Sequence, residues 1–207
     1  TFLFPFMDEF PDYQHFDEAL SPGHKRRIMS FYKSMLQRHM YATGKKYFVA
    51  KNPAFSPKIE TLAEFFPEAR IIYLARNPLD MLPSTVSWIN YARRQFTEPK
   101  EKWLYLDEIV DMTQHWYSHP LKYLDAHPSP RNLILNYDDL IQRPEAVLRA
   151  FYEQFGYPDK PGLEIIVDEA VKETMSFNSD HVYSYEEMGF TRQQIVELYP
   201  EIFERFG

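Results

Sequence analysis

An arginine that ends a run of β-forming residues and stands just before a helix start is well placed to hold an anion. In Arg70-Ile-Ile-Tyr-Leu-Ala-Arg-Asn-Pro-Leu-Asp-Met-Leu-Pro-Ser84 an apolar run closes on Arg76. Asn77 is a favoured helix N-cap, and Pro78 suits the first helical position. Asp80 falls in the first turn, where it complements the helix dipole. Arg76 is therefore expected beside the unpaired backbone N–H groups of a helix N-terminus. Ser84 lies seven residues beyond Asn77, close to two full turns, so both fall on one helix face. A guanidinium and a hydroxyl on that face can converge on one phosphate, each charge-assisted hydrogen bond contributing roughly 1.5–3 kcal/mol. Lys51, after Tyr47-Phe-Val-Ala50, and Tyr137, at the end of Asn132-Leu-Ile-Leu-Asn-Tyr137, close two further β-rich runs.

These residues need elements to position them. The runs 47–50, 70–75 and 132–137 are apolar on both faces, as strands inside a parallel sheet are. Helical segments are expected at about 56–66, 78–96 and 101–126, between the strands. Such alternation makes an α/β domain with right-handed crossovers. Ligands of such sheets bind beyond the strand ends, where Lys51, Arg76 and Tyr137 stand. Residues 1–23 read as a loop with aromatic anchors. From His24 to Ala42, Ile28, Phe31, Tyr32, Met35, Leu36 and Met40 follow the helical period, and Gly44 ends the helix. After Tyr137 the chain reads as helical: a turn at 138–142, then 144–155, 161–173, 184–188 and 191–205. Asp138 and Asp139 are read as caps of the first of these turns.

Composition narrows the function classes. The 207 residues are 44% apolar and 17% aromatic, and the formal net charge is −7. A general nucleic-acid binder is normally basic, so none is expected as a partner. An acidic chain still binds anions through local groups and backbone amides. The absence of cysteine excludes disulfides, thiolate metal sites and cysteine nucleophiles; with no Asn-x-Ser/Thr acceptor, a cytoplasmic location is expected. No apolar stretch approaches the roughly 20 residues needed to span a bilayer. His115 and His119 stand four apart on an expected helix, a spacing metals use, but the sequence offers no evident third ligand.

Strand–Arg-Asn-Pro-x-Asp-x-x-x-Ser resembles the 3′-phosphate motif of sulfotransferases that use 3′-phosphoadenosine 5′-phosphosulfate (PAPS), and Arg76 and Ser84 have its spacing. Tyr47-Phe-Val-Ala-Lys-Asn-Pro53 resembles the family's strand ending in lysine. Leu133 to Leu148, continuing to Phe155-Gly-Tyr-Pro158, resembles its Tyr-Glu-Asp-Leu…Pro…Phe-Leu-Gly segment. His181-Val-Tyr-Ser-Tyr-Glu-Glu-Met-Gly-Phe-Thr-Arg192 resembles the close of bacterial and carbohydrate-type members. The order of the segments also matches. The resemblance implies a P-loop-NTPase-like three-layer fold with a central parallel sheet and a helical C-terminal part. It implies PAPS as donor and adenosine 3′,5′-bisphosphate as product, with no metal. Arg76 and Ser84 would hold the 3′-phosphate, Tyr137 would lie near the adenine, and Lys51 would lie near the transferring sulfuryl group. The acceptor would be a carbohydrate or another small molecule with a hydroxyl or amine. The oligomeric state is left open.

Three departures set limits. The family's 5′-phosphosulfate loop is not among these six glycines. Residues 1–207 therefore read as a single sulfotransferase domain lacking its N-terminal strand and that loop. Pro83 falls inside an expected helix, where a proline typically costs about 3 kcal/mol and kinks the chain. No histidine follows Lys51, so the general base is sought among Asp8, Glu9, His15, Asp17 and Glu18. Two alternatives stay open: a non-catalytic binding domain derived from a sulfotransferase, and a nucleotide or small-molecule kinase of the P-loop fold.

Overall fold

The computed structural model describes residues 4–96, 98, 102–157, 162–176 and 184–206. They divide into two compact units, Thr1–Ala69 with Asp107–Asp125, and Arg70–Leu106 with Ala126–Gly207.

The first unit is helical. The stretch expected to be a loop instead folds into short 3-10 turns and the single-turn helix α1 (Phe16–Ala19). Its aromatic anchors act as core: Phe16 is fully buried, and Met7 is buried with it. Helix α2 (Pro22–Thr43) is capped by Ser21 and closed by Gly44 at φ 64°, a left-handed value that suits glycine. Of the expected stripe, Ile28, Tyr32, Leu36 and Met40 are partly buried, and Tyr32 packs on Phe55 and Phe66. Met29 is the buried residue, whereas Phe31 and Met35 are 67% and 51% exposed. A 3-10 turn (Pro53–Lys58) leads into α3 (Ile59–Phe65). Helix α5 (Leu106–Ala126) presents Ile109, Met112, Trp116, Tyr117, Leu121 and Leu124 to the core. The Trp116 indole N–H donates to the Gln14 carbonyl at 2.9 Å, and the Gln14 amide donates to the Met7 carbonyl at 3.2 Å. A buried indole needs such a partner, so this chain of bonds fixes the N-terminal turns on α5.

The second unit carries the sheet. Strands β1 (Ile71–Ala75) and β2 (Asn132–Asn136) pair in parallel, with Ile71 opposite Asn132 and Ala75 opposite Asn136. The expected third strand at 47–50 is not a strand in the structure. Tyr47, Phe48 and Val49 are 68%, 41% and 92% exposed. Those residue types favour an extended backbone, but a strand also needs a hydrogen-bonded neighbour. Among the described residues the sheet is two-stranded.

Each strand runs directly into a helix. β1 leads to α4 (Pro78–Arg94), and β2 leads to α6 (Tyr137–Gln142). α4 continues unbroken through Pro83, which is fully buried beside Leu82 and Val86. Burial in the core thus offsets the lost hydrogen bond. Helices α7 (Pro144–Gln154), α8 (Leu163–Ser176), α9 (Arg192–Leu198) and α10 (Pro200–Phe206) complete the unit. α9 packs on α4 and is opened by a capping box between Thr191 and Gln194. Within the segment from His181 to Arg192, residues 181–183 lie outside the described residues, as does Pro158. The remainder of the former forms the turn Glu186–Met188, where the Glu187 carbonyl accepts from the Trp103 indole at 2.9 Å.

Asn90, 2% exposed, holds the approach to α5. Its amide nitrogen donates to the carbonyls of Val86 at 2.9 Å and Leu104 at 3.3 Å, while its oxygen accepts from the Leu104 N–H at 2.9 Å. Tyr105, next in the chain, has φ 60°, a value costly for a residue with a side chain, and its ring and hydroxyl are held by Arg93. Asn90→Leu strands the Leu104 N–H and C=O. It is expected to lower unfolding stability by about 2 kcal/mol, read as a shift in the urea midpoint with an unchanged slope.

Candidate functional site

The parallel register determines what meets at the sheet's end. Because Ala75 pairs with Asn136, the next residues, Arg76 and Tyr137, leave the same edge side by side. The Arg76 guanidinium carbon lies 5.3 Å from the centre of the Tyr137 ring. At an exposed position such a cation–π contact contributes about 0.5–1 kcal/mol. The turns on either side are built alike. Asn77 Oδ1 accepts from the Leu79 N–H, and Asn136 Oδ1 accepts from the Asp138 N–H, both at 3.0 Å. The expected roles of Asn77 as cap and Pro78 as first helical residue match this geometry. Asp138 and Asp139, read as caps, are not: Asn136 holds that place, and Asp139 pairs instead with Arg143. A cap residue must precede the first helical turn, and both aspartates lie inside it.

Ser84 lies in the second turn of α4, half-buried, on the helix that Asn77 caps. The structure thus joins Arg76 to Tyr137 by contact and sets Ser84 on the adjoining helix, all within the second unit. Lys51 belongs to the first unit, exposed in the extended segment before the Asn52 cap.

The first unit holds a cluster that no single stretch of sequence announces. Asp17 is buried at 7% exposure. Its carboxylate accepts from the N–H groups of Glu60 (2.9 Å) and Thr61 (3.3 Å), from the Thr61 hydroxyl, and from His119 Nε2 at 3.1 Å. Burial alone would raise the Asp17 pKa; the hydrogen bonds from His119, Thr61 and the backbone outweigh it and hold the group below the usual carboxylate range. Asp17 is therefore committed to anchoring the start of α3 and leaves the set of general-base candidates.

His119 stacks on His115, with centroids 4.8 Å apart, and His115 lies against His15, with centroids 4.2 Å apart. His15 Nε2 meets Asp111 Oδ2 at 2.8 Å. Burial, with His15 and His119 alongside, lowers His115 to about 4. Lys58 lies with its Nζ 5.0 Å from the centre of the Phe16 ring and donates to the Ala54 carbonyl at 2.7 Å. Burial lowers it to about 8, partly opposed by the Asp17 charge. The sequence singled out His15, Asp17 and Glu18 as base candidates and His115 with His119 by their i, i+4 spacing, but not that they meet, because the partners lie some 40 to 100 positions apart.

A model of the sulfotransferase family matches residues 5–161. The chain is 27% identical over 194 residues to the omega-hydroxy-beta-dihydromenaquinone-9 sulfotransferase Stf3 of Mycobacterium bovis and to that of Mycobacterium tuberculosis. The match covers 87% of this chain and 47% of each relative. The chain therefore spans about half the length of these curated relatives. The crystal structure of the sulfotransferase STF9 from Mycobacterium avium superposes with a TM-score of 0.62 at 20% identity, over 75% of this chain and 41% of that one. The fold is thus that of the P-loop-like sulfotransferase STF9, a small parallel sheet among many helices. Among the described residues no helix is long and apolar enough to cross a membrane.

Two substitutions test the first unit. Asp17→Ala leaves His119, the Thr61 hydroxyl and two N–H groups without their acceptor, and is expected to cost about 3 kcal/mol in urea unfolding. Lys58→Met removes a charge whose desolvated site disfavours it. The folded pKa, about 8, lies below the ordinary 10.5, so the penalty is complete below pH 8 and disappears as pH rises to 10.5. The variant is expected to gain about 1 kcal/mol at pH 7, allowing for the water that the partly exposed side chain still meets. That gain should fade between pH 8 and 10.5 in thermal melts.

Proposed function

This chain belongs to the sulfotransferase family, and from that premise we propose that it moves a sulfuryl group from PAPS to the hydroxyl or amine of a small-molecule or carbohydrate acceptor. The observation that carries the reading is the Arg76–Tyr137 contact at the common edge of β1 and β2, beside the N-terminus of α4. A 3′-phosphate between the Arg76 guanidinium and the Ser84 hydroxyl would gain charge and hydrogen-bond donors at the positive end of the α4 dipole. Tyr137 offers an aromatic face for the adenine. Grip on the 3′-phosphate is what would separate this donor from AMP or ATP.

PAPS supplies an activated sulfur–oxygen bond. The acceptor's oxygen or nitrogen attacks the sulfur in line, the bond to the 5′-phosphate oxygen breaks, and adenosine 3′,5′-bisphosphate leaves. The acceptor's proton passes to a general base. With Asp17 engaged in its buried hydrogen bonds, Asp8, Glu9, His15 and Glu18 remain for that role. Lys51 is the cation proposed to offset charge on the sulfuryl group or the leaving oxygen, so catalysis rests on positioning and charge stabilisation. The curated relatives are named for a hydroxylated menaquinone derivative, which supports a hydroxyl as the acceptor group here.

Calorimetry with adenosine 3′,5′-bisphosphate and AMP tests the donor. The parent chain is expected to prefer the 3′-phosphorylated ligand. Arg76→Ala and Ser84→Ala should each weaken that ligand by about 10–100-fold while leaving AMP nearly unchanged. Equal affinity of the parent chain for both ligands would overturn the assignment.

A further inference from the structure

We propose that His15, Glu18 and His115 form a binding site for a divalent transition-metal ion, with zinc the best fit to the donor set. The site lies wholly within the first unit and does not depend on the sulfuryl-transfer reading; an ion held there would leave Asp8 and Glu9 as that reading's base candidates. Each of the three residues offers one ligand atom, and these atoms all lie within 4.8 Å of one another. His15 immediately precedes α1, Glu18 lies in α1, and His115 lies at the middle of α5, so the ligands come from two separate elements.

Three observations carry the assignment. His15 Nε2 is hydrogen-bonded to Asp111 at 2.8 Å. The carboxylate can only accept, so Nε2 carries the proton; in the neutral ring Nδ1 then keeps its lone pair, and it lies 4.0 Å from Glu18 Oε2. A carboxylate behind a ligating imidazole is the usual arrangement around zinc, where it fixes the ring and raises its basicity. Next, the His115 Nε2 atom is buried and has no hydrogen-bond partner among the described residues. Buried polar atoms are rarely left so, and coordination through Nε2 would satisfy this one. Finally, His119, the other imidazole of the stack, is held away by Asp17, which leaves two histidines and one carboxylate. That set, with a fourth position open to water, is an established zinc composition. Zinc–ligand bonds of about 2.0–2.2 Å require the donors to draw in by roughly an ångström. Glu18, 63% exposed at its side chain, has the freedom to do so. The bound ion would clip the N-terminal turns to α5.

The test uses the whole chain, stripped with a chelator and titrated with Zn²⁺ against a chromogenic competitor. One ion per chain is expected, with a rise in Tm. His15→Ala, His115→Ala and Glu18→Gln should each weaken binding by at least tenfold, Asp111→Asn by about tenfold, and His39→Ala not at all. Co²⁺ should give the intense visible absorption of a four-coordinate ion. Because His115→Ala alters a packed ring, Glu18→Gln on the surface decides the matter if that variant misfolds. The absence of stoichiometric binding, or binding indifferent to Glu18→Gln and His15→Ala, overturns the proposal.

Discussion

The pairing of Ala75 with Asn136 is the constraint on which the second unit's site depends. Strand side chains alternate between faces, and a strand's end is fixed by its register with its neighbour. With this register, both strands stop at one level and both release a polar side chain there. A slip of one residue would separate Arg76 from Tyr137 and leave the two asparagine caps out of step. The apolar residues that lock the register, Ile71 to Ala75 against Leu133 to Leu135, therefore position the site without touching any ligand. α4, whose first-turn N–H groups of Leu79, Asp80 and Met81 donate to Asn77, then supplies Ser84. Its buried face of Leu82, Pro83, Val86 and Ile89 holds that helix in place.

The first unit depends on a buried charge rather than a register. Asp17 gathers the start of α3 and His119 of α5 around one carboxylate. A buried anion is tolerated only when nearly all its acceptor capacity is used, and here four donors use it. Asp17 thereby fixes the neighbouring His15 and Glu18 relative to α5. The row His15–His115–His119 follows from that anchoring. The same arrangement desolvates Lys58, which lies over Phe16 just before α3.

Each unit thus converts a local signal into a small polar cluster in a different way. In the second, short-range caps do most of the positioning, and one long-range pairing brings their products together. In the first, nearly every useful contact is long-range. This contrast explains why the two clusters differed so much in legibility. Arg76, Asn77, Pro78 and Ser84 lie within nine residues and share one strand–helix junction, so their spacing alone implied a common edge. His15 and His115 are a hundred positions apart, and nothing in either neighbourhood points to the other.

What the sequence by itself determined is local: β1 and β2, the cap at Asn77, the helical period of α4 and α5, and the family to which these motifs belong. Backbone preference, capping chemistry and periodicity act over a few residues, so they can be read directly. Tertiary structure decided the rest. Among the described residues it gave Tyr47 to Ala50 no partner strand, turned Met29 of α2 toward the core while leaving Phe31 and Met35 exposed, and carried α4 through Pro83. It also committed Asp17 to buried hydrogen bonds and set two histidines and a glutamate within reach of one another. Burial and hydrogen-bond partnership are properties of neighbours in space, and neighbours far apart along the chain are chosen only when the whole unit packs.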